Sequence, residues 1–379
     1  MINFTFIVSI YLAVSGDTTP AIEVLTARGE WVRATRDDSG VIRSEKGVDI
    51  GATALAWSPV SDETTTMDRP PFAMTRLSDG QIIIAAFGGF HEGPVGPVVR
   101  WKHPGIGLMD IPVERTSFIQ VQPMSQPPIA NASDEIVLRN GDRVTGFIES
   151  FGEPIVIETD GKKREIPSDR IAGLSLVSKS PTIGAVRVWL TDGSVIDGSS
   201  IAGVVGGGFV LQGMSLINNR SSLPIEAEEI RCVSQSPKRI VPLSALKAQV
   251  LPPTAIALPR AQYPAPKISL TDDPLGASAI EVRGPERLIY EIPKGFSVLN
   301  AHIEIPPSVR PWGDCVVVLR QNSHEIGRYP LSIKNQSAQI MVSVQPGPLE
   351  FEIEEAGGGP IGDIVILRRA ILIAADVGG

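Results

Sequence analysis

Cysteine is scarce: Cys232 and Cys315 are the two in a chain of 379 residues. That excludes a disulfide-dense scaffold and any zinc site of the CxxC type. Histidine is nearly as rare, at positions 91, 103, 302 and 324, with no zinc-ligand spacing and no HExxH. Aromatic residues make up 5%, which leaves few platforms for a stacked ligand. Basic residues form no stripe and the net charge is -8, so nucleic acid is not an expected partner. Beyond the first residues there is no apolar run of 18, so no transmembrane helix is expected in the mature chain. No GxSxG elbow occurs; GSSIAG (198–203) has the wrong spacing. GGFHEGPVGP (88–97), which carries His91 and Glu92, lacks the GKS or GKT of a phosphate loop and reads as a flexible loop. Carboxylates are plentiful, yet none is marked out as a catalytic pair. The reading is therefore a non-enzyme without a cofactor.

What is present is punctuation. The chain holds 37 glycines and 32 prolines, with 42% hydrophobic and 20% charged residues. That composition is globular and suits many short strands joined by turns. Residues 1–16, MINFTFIVSIYLAVSG, carry no charged side chain. Their apolar run has the length of a signal-peptide core and is too short to span a bilayer, so export is expected, with cleavage near Gly16. In an exported protein Cys232 and Cys315 could pair. Both sit in strand-like runs that point side chains into a core, which favours two buried free thiols.

A repeat follows. TARGEWVRA, LSDGQIIIA, LRNGDRVTG and LTDGSVIDG each read as strand, turn, strand around Gly29, Gly80, Gly141 and Gly193. The glycines are spaced 51, 61 and 52 residues apart. Asp-Gly and Asn-Gly are strong hairpin signals, and a type I′ turn is expected at each. Three repeats close on a Pro, an acidic residue and an apolar strand: 110–121, 165–177 and 223–233. The first has no clear closure; its equivalent is VDIGATALAWSPV (48–60). Trp57 and Trp101 follow corresponding hairpins, and a repeated Trp reads as core.

Four or five strands in so short a repeat suit a small barrel. The segments 134–150 and 186–200 resemble the SH3-like and Sm-like pattern locally, and the set is similar to repeats of large exported planctomycete-type proteins. Sm-like proteins bind RNA, which acidity and export argue against here. The division expected is a signal peptide (1–16), repeats at 17–68, 69–123, 133–180 and 181–248, a Pro-rich linker (249–262) and a last domain (263–377).

The last domain reads as strands at 287–292, 296–305, 314–321, 324–332, 339–344, 349–355 and 363–373. LEFEIEE (349–355) alternates strictly, with its acidic face expected to point to water. Seven or eight strands in this length argue for a two-sheet sandwich. FSVLNAHIEIP, then CVVVLRQNSHEIG with Asn322-Ser323 as a turn, then QIMVSVQPG and LEFEIEEAGGGPIGD, resemble the NPCBM family, carbohydrate-binding modules found beside glycoside hydrolases. IVILRRAILI departs from that family's ending, which carries a Trp. The resemblance covers about 30% of the chain and implies a galactose-binding-like jelly roll. The expected class is thus all-β: tandem small SH3/Sm-like β-barrel repeats followed by a C-terminal jelly-roll β-sandwich.

Sugar modules stack C–H faces on Trp or Tyr. Trp312, in the Pro/Gly segment SVRPWGD, is the first candidate, and Arg310 beside it can donate hydrogen bonds. Tyr290 and Tyr329 are further ligand candidates, with Tyr263 also on offer. Asp272 and Asp273 are a candidate Ca²⁺ loop, but Ca²⁺ takes six to eight oxygens, and a turn start is the plainer reading. The function expected is an exported binding protein whose partner is a glycan. The alternative is a structural or protein-interaction component of the cell envelope.

Overall fold

The computed structural model describes residues 21–36, 42–60, 73–124, 133–177, 183–203, 208–214, 222–253, 264–269, 273–357 and 362–375. The proposed signal peptide, Tyr263, Asp272 and most of the Pro-rich linker lie outside them. All regular structure in the described residues is β-strand or short 3-10 turn. Two compact units divide the chain: Met1–Ile22, Thr35–Arg43 and Ser58–Gln235 form one, and Glu23–Ala34, Ser44–Trp57 and Ser236–Gly379 the other.

The first unit contains three meanders of one design. Each runs out and back, makes a 3-10 turn and returns a last strand to pair with its first. Thr116–Gln120 pairs with Ala73–Leu77, Ile171–Ser175 with Asp134–Leu138, and Ile230–Ser234 with Val186–Leu190. The 3-10 turns before them are Val113–Arg115, Ser168–Arg170 and Ala227–Glu229. Strand edges then join the meanders: Ile171–Ser175 pairs with Thr116–Gln120, and Val195 with Ile82.

The four glycine turns share one hydrogen-bond pattern. The N–H groups of Gly29, Gly80, Gly141 and Gly193 donate to the carbonyls of Thr26, Leu77, Leu138 and Leu190. The residue after that carbonyl (Ala27, Ser78, Arg139, Thr191) donates to the last 3-10 residue (Thr53, Arg115, Arg170, Glu229) over 2.8–2.9 Å. The 3-10 turn at Gly51–Thr53 and strand Ala54–Pro59 are therefore the closure of the first repeat. In each turn only the glycine has positive φ, between 85° and 90°. These are type I turns with a left-handed glycine, not the type I′ turns expected at the Asp-Gly and Asn-Gly pairs, and the closing bond from the 3-10 turn is common to all four. Asp79, Asn140 and Asp192 accept the N–H of the residue two positions on. True two-residue turns with positive φ throughout occur at Asp160-Gly161 and Asn322-Ser323.

GGFHEGPVGP is not a loop. It is the end of the long strand Ile82–Gly93, paired with Gly96–His103. A side chain at Gly88 would meet Arg100 at 2.9 Å, and one at Gly93 would meet Val98 at 2.7 Å. Glycine here permits close cross-strand approach rather than mobility.

In the second unit the sandwich strands are Ile280–Arg283, Glu286–Ile292, Phe296–Glu304, Cys315–Gln321, His324–Leu331, Ser337–Ser343, Gly347–Glu355 and Ile364–Ala374, here β1 to β8. One sheet has the order β1-β8-β3-β6 and the other β2-β7-β4-β5, all antiparallel, which is a jelly roll. Leu288, Leu299, Val317, Phe351 and Leu367 fill the space between. The unit begins earlier than residue 263: Ile240–Pro242 pairs with β8 and Ala248–Leu251 with β2. Proline-rich flanks hid both strands from pattern reading. The hairpin around Gly29 also belongs here. Asn300 donates to the Gly29 carbonyl, Arg369 pairs with Glu23 at 2.7 Å, and its guanidinium lies 5.0 Å from the Trp31 ring centre.

Candidate ligand site at one end of the sandwich

The ends of β1, β3, β5 and β7 and the starts of β2, β4, β6 and β8 lie at one end of the jelly roll. The β3–β4 segment, 305–314, folds on itself: Val309 N–H donates to Pro306 O, and the N–H groups of Trp312 and Gly313 both donate to Val309 O. This turn leaves Trp312 65% exposed. Gly313 and Gly362 fix its seat. A side chain at Gly313 would meet Ile305 at 2.9 Å and the Gly362 carbonyl at 3.0 Å; one at Gly362 would meet Trp312 at 3.4 Å. The other described tryptophans differ: Trp57, Trp101 and Trp189 are buried, and Trp31 lies under Arg369. Trp57 and Trp101 are thus core residues.

Arg310 lies in the same turn. Its Nε donates to the Ile305 carbonyl at 3.2 Å, and Nη2 is 3.8 Å from Glu304. Glu304 also takes Arg368 Nε at 2.6 Å. Beneath the end lies Asp363, 2% exposed and with no side-chain hydrogen-bond partner for its carboxylate. Burial pushes its acid up to about 6 against the pull of the Asp314 backbone N–H, and the carboxylates of Glu355 and Asp314 add to the rise.

The other candidates are placed differently. Tyr290 is 1% exposed and packs edge-on against Phe351, with ring centres 5.8 Å apart. It stands on the inner face with Leu288 and Ile292, so it is a core residue and has no face open to a ligand. Burial raises its phenol pKa. Tyr329, on edge strand β5, is half-buried and covers Gly327. Asp273 accepts Ala279 N–H and its carbonyl takes Gly276 N–H, which makes it a turn start. Among the described residues no three His, Cys, Asp or Glu side chains are placed to hold a metal. Cys232 and Cys315 are both buried, and no disulfide joins them.

The acidic face of β7 does not simply meet water. Arg320 binds Glu350, Glu352 and Glu354, and Arg328 adds a second contact to Glu354 at 2.9 Å. Glu352 is fully buried beneath this arginine cover.

The first unit holds a constellation that pattern reading missed. His103 Nε2 lies 2.6 Å from Asp192 Oδ2, and Ser194 Oγ lies 3.5 Å from the same nitrogen. The residue types are those of a nucleophilic triad, but the wiring is not. His103 Nδ1 accepts N–H bonds from Gly105 and Ile106, so Nε2 carries the proton and donates to Asp192. No ring lone pair is left to activate Ser194, whose oxygen already accepts Ile84 N–H at 3.1 Å. A second network joins Asp79, Arg187 and Asp197. Arg187 forks onto Asp197 at 2.6 and 2.9 Å and donates to the Asp79 carbonyl at 2.7 Å. Both networks are fastenings between meanders.

No family model matches the chain, and no characterised protein matches it in sequence. Solved structures similar to it include carbohydrate-binding modules. One is a family 51 module from a Clostridium perfringens family 95 glycoside hydrolase, in complex with methyl-galactose: 9% identical, TM-score 0.28, covering 35% of this chain and 99% of that one. A second comprises a family 51 module with GlcNAc and INT domains from a Clostridium perfringens protein: 10% identical, TM-score 0.30, covering 50% of this chain and 40% of that one. A third is a mutant of a family 29 module: 12% identical, TM-score 0.19, covering 33% of this chain and 90% of that one.

Proposed function

We propose that this is an exported, non-catalytic binding protein whose sandwich end at Trp312 takes a sugar ring, with SH3/Sm-like repeats as its scaffold. One observation carries the reading: Trp312 is 65% exposed although its backbone is held by hydrogen bonds and glycine packing. An indole exposed on a fixed turn has lost its burial energy without becoming mobile, which suits a stacking platform. Arg310 beside it supplies directional donors for ring oxygens.

The test is a glycan array probed with the full chain and with Trp312→Ala. The isolated segment from residue 262 would lack Ile240–Pro242 and Ala248–Leu251, which complete both sheets. Hits lost on substitution support the reading. A blank array with a folded protein overturns it.

A different observation favours a protein partner in the envelope. A groove of ≈ 680 Å³ lies among Pro97, Val113, Phe147, Phe151 and Val177 of the first unit. Val95 on its rim is 98% exposed. Binding of an envelope protein that survives Trp312→Ala and fails on Phe147→Ser would establish this role instead.

A further inference from the structure

Two guanidinium groups at the sandwich end share one carboxylate. Glu304 faces Arg368 at 2.6 Å and Arg310 at 3.8 Å. The end of β3 therefore carries one positive charge more than Glu304 cancels. Both cations are reachable, Arg310 at 35% and Arg368 at 50% side-chain exposure. Their donors are underused. Among the described residues Arg310 donates only through Nε, to Ile305, and Arg368 only through Nε, to Glu304. The planar Nη1/Nη2 edge of each, the part that grips a carboxylate in two parallel bonds, is left without a hydrogen bond to them.

The surroundings agree. His302 sits beside Arg368 on the same sheet, paired across from it. Burial, with the Arg368 and Arg369 guanidiniums adding, holds its imidazole below the usual range against the pull of Glu304. At the same end Asp363 is buried, Asp314 is half-buried and Glu355 is exposed, and the last two raise the Asp363 acid. Arg310 and Gly313 both rest on Ile305, which keeps the guanidinium and the Trp312 turn on one surface.

From this we infer that the sugar taken at Trp312 bears a carboxylate, a uronic or sialic acid, with the indole under the ring and Arg310 and Arg368 on the carboxylate. The inference rests on the sugar-binding reading above. It also explains how a chain of net charge -8 would hold an anion: through a local fork rather than a broad basic field, so the affinity should depend only moderately on salt.

The experiment is calorimetric titration of the full chain with four probes: oligogalacturonate, neutral galacto-oligosaccharide of equal length, sialyllactose and lactose. An acidic probe should bind at least about tenfold more tightly than its neutral counterpart. Arg310→Gln should remove that preference, weakening the acidic probe far more than the neutral one. Arg310→Lys, which keeps the charge and loses the fork, should fall between. Trp312→Ala should abolish binding of every probe. The acidic probe that responds tells uronate from sialate. Equal or tighter neutral binding that still depends on Trp312 overturns the carboxylate inference and leaves the sugar reading standing. No binding of any probe by folded protein overturns both.

Discussion

The polar groups of the first unit and those of the sandwich end use the same residue types in opposite ways. At Asp79, Arg187 and Asp197, and again at His103, Asp192 and Ser194, side-chain donors meet acceptors inside the protein. At Arg310, Arg368 and Trp312 the capacity is left open to solvent. A triad-like grouping whose lone pairs are all engaged is structure, whereas a plainer grouping with unspent donors is a candidate for recognition. Residue type alone does not separate them; the hydrogen-bond accounting does.

The sharpest way to break the contrast is to remove an arginine from each region. Arg187→Met leaves the buried Asp197 without its partner, and the expected loss is about 3–5 kcal/mol. Arg368→Gln removes an exposed pair, and the expected change is within about 0.5 kcal/mol. Denaturant midpoints of the full chain measure both. Equal losses would mean that the sandwich end is as structural as the meander junction. Tryptophan gives a parallel pair: Trp101→Ala, emptying a fully buried site against Phe87, should cost about 3–5 kcal/mol. Trp312→Ala should leave the midpoint within about 0.5 kcal/mol.

Much of the sandwich was legible because its strands alternate with period two over a single core. The same rule already places Tyr290 in register with Leu288 and Ile292, and so inside; its aromatic character drew attention that its position did not merit. The Trp312 turn was legible from Pro311 and Gly313. What could not be read were partnerships between distant residues. Arg187 reaches Asp79, and His103 reaches Asp192, across sequence separations that no local pattern encodes. The turn type was misjudged for a related reason: Asp-Gly serves both a two-residue and a three-residue loop, and the choice is set by the closing bonds from the 3-10 turn.

Asp363 sharpens the comparison within the sandwich itself, as a buried acid with no side-chain partner for its carboxylate. Its folded-state pKa, about 6, lies above the ordinary carboxylate value of 3.8. The folded state therefore binds the proton more tightly than the unfolded one. The stability this contributes is complete below about pH 4 and is lost as the pH rises through about 6. Asp363→Asn should raise stability at pH 7 by about 2 kcal/mol and change little at pH 3.5. A pH series of thermal melts for both proteins reads the difference, and a variant less stable at pH 7 would show that the bond from the Asp314 N–H outweighs the cost of burial.

The smallest effect tests whether the four glycine turns are equivalent. Gly141 has φ +90° and no atom within 4 Å of the place a methyl would take, so Gly141→Ala should cost only the left-handed backbone, about 1 kcal/mol. Gly29 has nearly the same φ, +88°, but a methyl there would meet Val298 at 2.8 Å and Ile373 at 3.2 Å. Gly29→Ala should therefore cost clearly more, through the seat of the first hairpin on the sandwich strands. If the two substitutions cost the same, Val298 yields freely and the hairpin is held by Asn300 and Arg369 alone. If Gly141→Ala is the costlier, the shared hydrogen-bond pattern is not what holds these turns.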